Sequence, residues 1–320
     1  MRIDVHSHFL SEKVARVLEK RSRFPYSRFV DGTYHLHCCQ GLTMPLLPSG
    51  IDMQRKLDEM DSAGIDVAVL SFGIPGPEML GKTQADKTAR LVNDLLAEII
   101  AVHPQRFWGY ATLGFGDIDA SLKELDRCFS SLQFRGLQLF SNLGGKTLDS
   151  PEFRPIFARM AELQKPIFIH PTVPLNLRAM ADLIPVPVLA FMVDSTIAAM
   201  RLALSGIIAE YSAAPIIIPH VGAAVPYLMA RLDGRMAPGG GPGATKAPSE
   251  HLKMLYMDTV AYGIEPLQWC YSLMGADHLV LGTDHPYGSW RQPIDLLQQL
   301  NCMESEREQM LHGNAERLFR

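Results

Sequence analysis

Short apolar runs rich in β-branched residues recur eight times along this chain, at roughly Ile3–His6, Val67–Phe72, Phe107–Thr112, Gly136–Phe140, Ile167–His170, Ile216–Pro219, Met254–Met257 and Leu279–Gly282. Segments with helical spacing lie between most of them. Leu91, Leu95, Ile99 and Val102 form one stripe, and Leu122, Leu125, Cys128 and Phe129 a second. Ile156, Met160 and Leu163 form a third, after Ser150-Pro151, an N-cap followed by a first-turn proline. Strands alternating with helices predict parallel β/α units, and eight of them predict an α/β fold closed into a (β/α)8 TIM barrel. The doubly wound alternative would need a G-x-G-x-x-G after its first strand, which is missing. Gly239-Gly240-Gly241-Pro242-Gly243 follows no strand and lacks a Lys-Ser/Thr pair, so it reads as a loop and not a phosphate cradle.

The 320 residues fit one barrel domain spanning 1–320. Two stretches interrupt the alternation. From about 21 to 49, Pro, Gly, aromatics, His35, His37 and the adjacent Cys38 and Cys39 predict a small insertion after the first strand, capping the barrel mouth. Residues 237–248, rich in Gly, Pro and Ala, predict a mobile loop. With 30 basic and 34 acidic residues the formal charge is −4, which argues against nucleic acid or an anionic membrane as the main partner. The N-terminus lacks the basic and apolar regions of a signal peptide, and no apolar run is long enough to span a membrane. Cys38, Cys39, Cys128, Cys270 and Cys302 contain no C-x-x-C, so neither a disulfide framework nor a thiolate zinc site is indicated, and the cytoplasm is the expected location.

Chemistry-bearing side chains sit where the runs end. Ile3 and Val5 alternate with Asp4 and His6 as in a strand, and residues two apart share a face, so His6 and His8 can project together. Pro166-Ile167-Phe168-Ile169-His170-Pro171, Pro215-Ile216-Ile217-Ile218-Pro219-His220 and His278-Leu279-Val280-Leu281-Gly282-Thr283-Asp284 end likewise in His170, His220 and Asp284. In a β/α barrel the carboxyl ends of the strands converge on one face. Three imidazoles and a carboxylate gathered there could hold one divalent metal, zinc first, with manganese, iron or cobalt as alternatives. If His6, His8, His170 and Asp284 all bind it, His220 is left beside the remaining position as an acid or base, a task suited to imidazole.

These segments resemble the amidohydrolase superfamily, in particular its branch of metal-dependent decarboxylases that act on 2-amino-3-carboxymuconate 6-semialdehyde or 6-methylsalicylate. The resemblance rests on Ile3–Leu10, Phe168–Pro171, Leu204–Gly206, Ile218–Pro226 and Leu281–Tyr287, in the family's order along nearly the whole chain. It implies that His6, His8, His170 and Asp284 bind the metal, that His220 is the catalytic acid/base with Asp284 beside it, and that the enzyme is a homodimer. Binuclear members place a carboxylated lysine at the end of strand four. Here that strand reads Gly136-Leu137-Gln138-Leu139-Phe140-Ser141 and the nearest lysine is Lys146, which implies one metal.

One departure concerns the substrate. The semialdehyde decarboxylases carry a carboxylate-gripping arginine in the insertion, whereas Cys39-Gln40-Gly41-Leu42-Thr43-Met44-Pro45 has none. Arg178 and Arg291 are candidates to replace it, or ordinary surface arginines; Arg231 and Arg235 could reach a neighbouring subunit or form helix-surface salt bridges. His285 could face the pocket, His35 and His37 could line its mouth or lie on a solvated hairpin, and Phe191, Tyr287 and Trp290 would suit its walls. Asp194 could orient a ligand imidazole or pair with Arg201. His103, His251, His278 and His312 read as surface residues. The leading expectation is a carboxy-lyase that removes CO2 from a small phenolic or conjugated, muconate-like acid. The alternative is a metal-dependent hydrolase of a small lactone, ester or amide, since the same ion could activate water; a silent metal-binding barrel is the third reading.

Overall fold

The computed structural model describes residues 1–175, 177, 180, 183–236 and 246–320. Among these the strands, in chain order, are β1 (Ile3–Phe9), β2 (Tyr26–Val30), β3 (Thr33–Cys39), β4 (Leu42–Pro45), β5 (Val67–Phe72), β6 (Phe107–Ala111), β7 (Gly136–Phe140), β8 (Asn142–Leu143), β9 (Lys146–Thr147), β10 (Ile167–His170), β11 (Ile216–Ile218), β12 (Tyr256–Asp258) and β13 (Leu279–Val280). Eight of them form one sheet in the order β1-β5-β6-β7-β10-β11-β12-β13, and each of its ladders is parallel. The two ends meet: Val5 N donates to Leu281 O (2.8 Å), Asp284 N to His6 O (2.7 Å) and His8 N to His285 O (2.7 Å). The fold is therefore the expected (β/α)8 barrel.

Two of the helices begin at aspartates whose side chains cap them, whereas Ser150 makes no side-chain cap bond. Asp52 accepts from Gln54 N (3.0 Å) and Arg55 N (3.1 Å) to start the helix Met53–Ala63, which stops at Gly64 in the left-handed region (φ 72°). Asp117 accepts from Ala120 N (2.8 Å) to start Ile118–Ser130. A small inner cluster of Ile3, Val5, Val67, Val69, Tyr110, Phe168, Ile217 and Val280 fills the barrel, and Leu318 and Phe319 of the C-terminus join it. Tyr110 stacks on Phe168 (5.3 Å) and donates its hydroxyl to Val5 O (3.0 Å). Between barrel and helices lies the larger core.

A register shift between Asp4 and Ser7 interrupts the alternation of β1. Ile3 and Val5 belong to the inner cluster, so strict alternation would turn His6 away from it. The shift lets His6 bring its ring to 4.8 Å from that of Phe168 instead, which is how bulges re-aim side chains near active sites. The insertion after β1 is an antiparallel sheet, β2-β3-β4, in which Tyr26 pairs with His37 and Leu36 with Met44. Most of the 237–248 segment and the glycine run 239–243 lie outside the described residues.

Candidate metal centre and its cavity

The carboxyl ends of β1 and β10 and the turn after β13 bring His6, His8, His170 and Asp284 together, one ligand atom from each lying within 4.8 Å of the others. The three imidazoles are almost wholly buried. Each commits Nδ1 to an outer partner: His6 to Asp258 Oδ2 (2.6 Å), His8 to Ser71 Oγ (2.9 Å) and His170 to Pro171 O (2.6 Å). A carboxylate and a carbonyl only accept, so His6 and His170 carry their proton on Nδ1. Ser71 donates its single hydroxyl proton to Ser7 O (3.2 Å) and is left to accept from His8. With one proton on each ring, all three Nε2 atoms are thus lone-pair acceptors.

Two of these acceptors face a further one. His6 Nε2 and His8 Nε2 lie 3.2 and 3.1 Å from Asp284 Oδ1, and His6 Nε2 is buried with no donor to satisfy it. Inward lone pairs whose rings are fixed from behind need a cation among them, and this donor set suits a divalent one. Burial alone would lower His6, but Asp284 and Asp258 outweigh it and push it up to about 10; between these two carboxylates positive charge is favoured, whether it is a second proton on the ring or a cation in that proton's place. Burial lowers His8 to about 4 and holds His170 well below the usual range. Burial would raise Asp284, yet His6, His220 and His8 hold it well below the carboxylate range.

His220 completes the arrangement from the turn after β11, its Nε2 lying 3.6 Å from Asp284 Oδ2. Asp284 therefore shows one oxygen to the imidazole cluster and the other to His220. The backbone that achieves this is strained: His220 (φ 57°), Val221 (50°), Ala223 (53°) and Asp284 (59°) are all left-handed without being glycine. Such a residue costs on the order of 1–3 kcal/mol, most for a β-branched one, and clusters of them mark functional sites. Asp258 holds the first turn, its Oδ1 accepting from His220 N (2.7 Å), Val221 N (3.4 Å) and Val260 N (3.0 Å). The second is held by Asp284 O, which accepts from Gly288 N (2.7 Å) and Tyr287 N (2.9 Å).

Above the cluster opens a cavity of about 990 Å³ whose walls include Ile74, Val188, Phe191, Met192, Val260 and Tyr287, with Met44 entering from the insertion. His8, His170, His220 and Asp284 contribute to its lining, and among the described residues no lysine or arginine does. The hydroxyl of Tyr287 is buried without a partner among the described residues.

The other candidates fall elsewhere. Arg178 lies outside the described residues. Arg291 is not in the cavity wall; its Nη2 donates to Ser62 O (2.6 Å). His285 turns away from the cavity to Lys56 Nζ (2.8 Å) and Glu59 Oε2 (2.9 Å), and Trp290 stacks on it (4.1 Å) instead of walling the pocket. Its neighbour Asp284 faces the metal cluster, so the strand-end position of His285 was a poor guide to its direction. Asp194 touches no ligand imidazole and does not pair with Arg201, which binds Asp149 (2.7 Å). It accepts instead from Ser141 Oγ (2.5 Å), Asn142 Nδ2 (2.9 Å) and Leu175 N (3.2 Å), bracing the segment after β10. His37 stacks on Tyr26 (4.5 Å), and neither it nor His35 is in the cavity wall. His251 is buried, not on the surface. Sequence reasoning missed Ser71, Asp258 and Lys56. Asp258 does close an apolar run, but one so short that no strand-end signal stands out.

Comparison with known proteins accords with this geometry. The sequence profile described as Amidohydrolase matches residues 3–320. The chain is 31% identical over 288 residues to a gamma-resorcylate decarboxylase of a Polaromonas species, covering 84% of this chain and 88% of that one. It is 26% identical over 332 residues to the 2-amino-3-carboxymuconate-6-semialdehyde decarboxylase of Dictyostelium discoideum, covering 98% and 90%. The crystal structure of a dihydroxybenzoic acid decarboxylase from Polaromonas, with bound manganese and the inhibitor 2-nitroresorcinol, superposes with a TM-score of 0.83 at 26% identity over 99% of this chain and 96% of that one. On the profile match and this shared architecture, the chain belongs to the amidohydrolase family.

Proposed function

We propose that this protein is a metal-dependent, non-oxidative decarboxylase of a small phenolic acid of the hydroxybenzoate type. One observation carries the reading: three inward-facing Nε2 atoms and Asp284 Oδ1 converge at the floor of an apolar cavity, with His220 on the other oxygen of Asp284. His6, His8, His170 and Asp284 would hold the ion. It would supply a Lewis acid for the substrate's carboxylate, the role an arginine would otherwise fill. Zinc suits the donor set, and the manganese of the Polaromonas enzyme makes that ion the second choice.

His220 holds the proton for the reaction, with the carboxylate of Asp284 beside it. His220 lines the cavity and delivers it from Nε2 to the ring carbon that bears the carboxylate, while Asp284 Oδ2, 3.6 Å from that nitrogen, steadies the imidazolium. With that carbon saturated, the bond to the carboxylate breaks, its electron pair returns to the ring, and CO2 leaves; one proton is taken up and one C–H bond formed. Phe191, Met192, Val188 and Ile74 keep the reacting carbon out of water and favour release of a neutral product. Tyr287, with its buried unpartnered hydroxyl, is the donor for a substrate oxygen.

The reading includes a homodimer, supported by the exposed Tyr227 and Trp269 on neighbouring helices and by Tyr262 at the cavity mouth. It also includes a cytoplasmic location, supported by five unpaired cysteines. Among the described residues no helix is long and apolar enough to cross a membrane.

The test is mass spectrometry of a panel of hydroxybenzoates, muconate-type acids and small lactones incubated with zinc- or manganese-loaded protein. Loss of CO2 from a hydroxybenzoate, reduced about 100-fold or more by His220→Ala with the metal still bound, is expected. Addition of water to a lactone without CO2 loss from any acid would overturn the reading.

A further inference from the structure

The seam between β13 and β1 carries a polar cluster that the chemistry above does not use. Lys56, on the helix Met53–Ala63, is fully buried. Its ammonium donates to Ser7 Oγ (3.2 Å) and to His285 Nδ1 (2.8 Å) and lies 5.2 Å from the ring centre of Trp290. The opposite nitrogen of His285 donates to Glu59 Oε2 (2.9 Å), and Glu59 is held in turn by Ser49 (2.7 Å) and Arg55 (3.1 Å). Ser7 Oγ donates to His285 O (3.4 Å). The imidazole thus links the lysine to a carboxylate, and each polar atom in the chain from Ser7 to Glu59 has a partner.

Placement gives the cluster its meaning. Ser7 stands between His6 and His8, and His285 follows Asp284. A single ammonium therefore ties together the two segments that carry three of the four candidate ligands. An apolar side chain of similar length would fill the space without the cost of burying a charge. It could not bond both segments at once.

We propose that Lys56 is a positioning residue for the metal centre: by bridging Ser7 and His285 it fixes the separation of His6 and His8 from Asp284. The proposal rests on the metal-centre reading above. It is tested on the full chain by chelator competition with zinc and manganese, alongside melting of the metal-free and metal-loaded protein. Lys56→Met is expected to weaken metal binding about 10- to 100-fold, the loss typical of groups that orient ligands from behind. Lys56→Arg, which keeps donors for both segments, is expected to regain most of the affinity. Ser7→Ala removes one acceptor without touching the lysine, is expected to cost about fivefold, and serves if Lys56→Met does not fold. A merely structural lysine would shift the melting temperature of the metal-free chain while leaving metal affinity, and the stabilisation brought by metal, unchanged; that result, or Lys56→Arg as weak as Lys56→Met, overturns the proposal. His170→Ala, across the barrel, separates the two readings. If it too leaves affinity unchanged, the metal-centre reading itself has failed.

Discussion

Asp258→Asn alters one atom of a side chain that serves two masters, and its effect can be worked out from the geometry. In the native site Oδ2 takes the proton of His6 Nδ1 (2.6 Å) and Oδ1 takes three backbone N–H groups, those of His220, Val221 and Val260. An amide has one carbonyl oxygen for these two tasks. If that oxygen stays with the backbone, the NH2 faces Nδ1 and forces the His6 proton onto Nε2, where it blocks a ligand lone pair. If it turns to His6, the NH2 meets three buried N–H groups and the His220 turn is released. The first orientation breaks fewer hydrogen bonds and is the expected one. Metal affinity should then fall about 10- to 100-fold, or roughly 1.4–2.7 kcal/mol. Replacing a charged acceptor by a neutral one at the backbone should cost the metal-free chain about 1–3 kcal/mol. Competition against a chelator of known affinity measures the first quantity and urea unfolding of the metal-free protein the second. Wild-type metal affinity in a folded Asp258→Asn variant would refute the reasoning, since it would mean that the tautomer of His6 does not matter.

Two further outcomes are expected. Tyr287→Phe removes a buried hydroxyl that has no partner among the described residues, so stability should hold or rise slightly while KM for the phenolic acid increases about fivefold with kcat little changed; steady-state kinetics separate the two. Glu78 is buried with both carboxylate oxygens lacking a side-chain or neighbouring partner among the described residues, and burial raises it from 4.5 to about 8. The folded state therefore holds a proton that the unfolded chain releases: the stability from this group is full below pH 4.5 and declines as pH climbs to about 8. Glu78→Gln should remove that decline, matching the wild type near pH 4.5 and exceeding it at pH 7 by about 3 kcal/mol. Parallel slopes for both proteins across this window, read from urea unfolding, would sink the idea.

Much of this architecture was legible in the primary structure because two periodicities carry it. Eight β-branched runs alternating with helical stripes announced the barrel, and the residues ending those runs announced His6, His8, His170, His220 and Asp284. What stayed hidden depends on contacts between distant segments. Asp258 lies 252 positions from His6, and its short strand gives no pattern to notice. Lys56 falls on a helix where an inward lysine looks like any solvated one. His285 and Arg291 stood beside a candidate ligand or in the loop after it, but proximity in sequence does not fix direction: the left-handed backbone at Asp284 sends its carboxylate to the metal cluster and its neighbour to the helix behind. The shift in β1 is likewise unreadable from alternation, because it is a departure from alternation.

The joining of β1 to β13 also has a consequence for how the protein is made. His8 and Asp284 are 276 residues apart, so at about 5–20 residues per second on the ribosome the first imidazoles wait on the order of tens of seconds for their carboxylate. A nascent or truncated chain that stops short of Asp284 carries three imidazoles and an open seam. The segment that closes the barrel against β1 is thus the same one that completes the ligand set, so closure and completion of the site are one event.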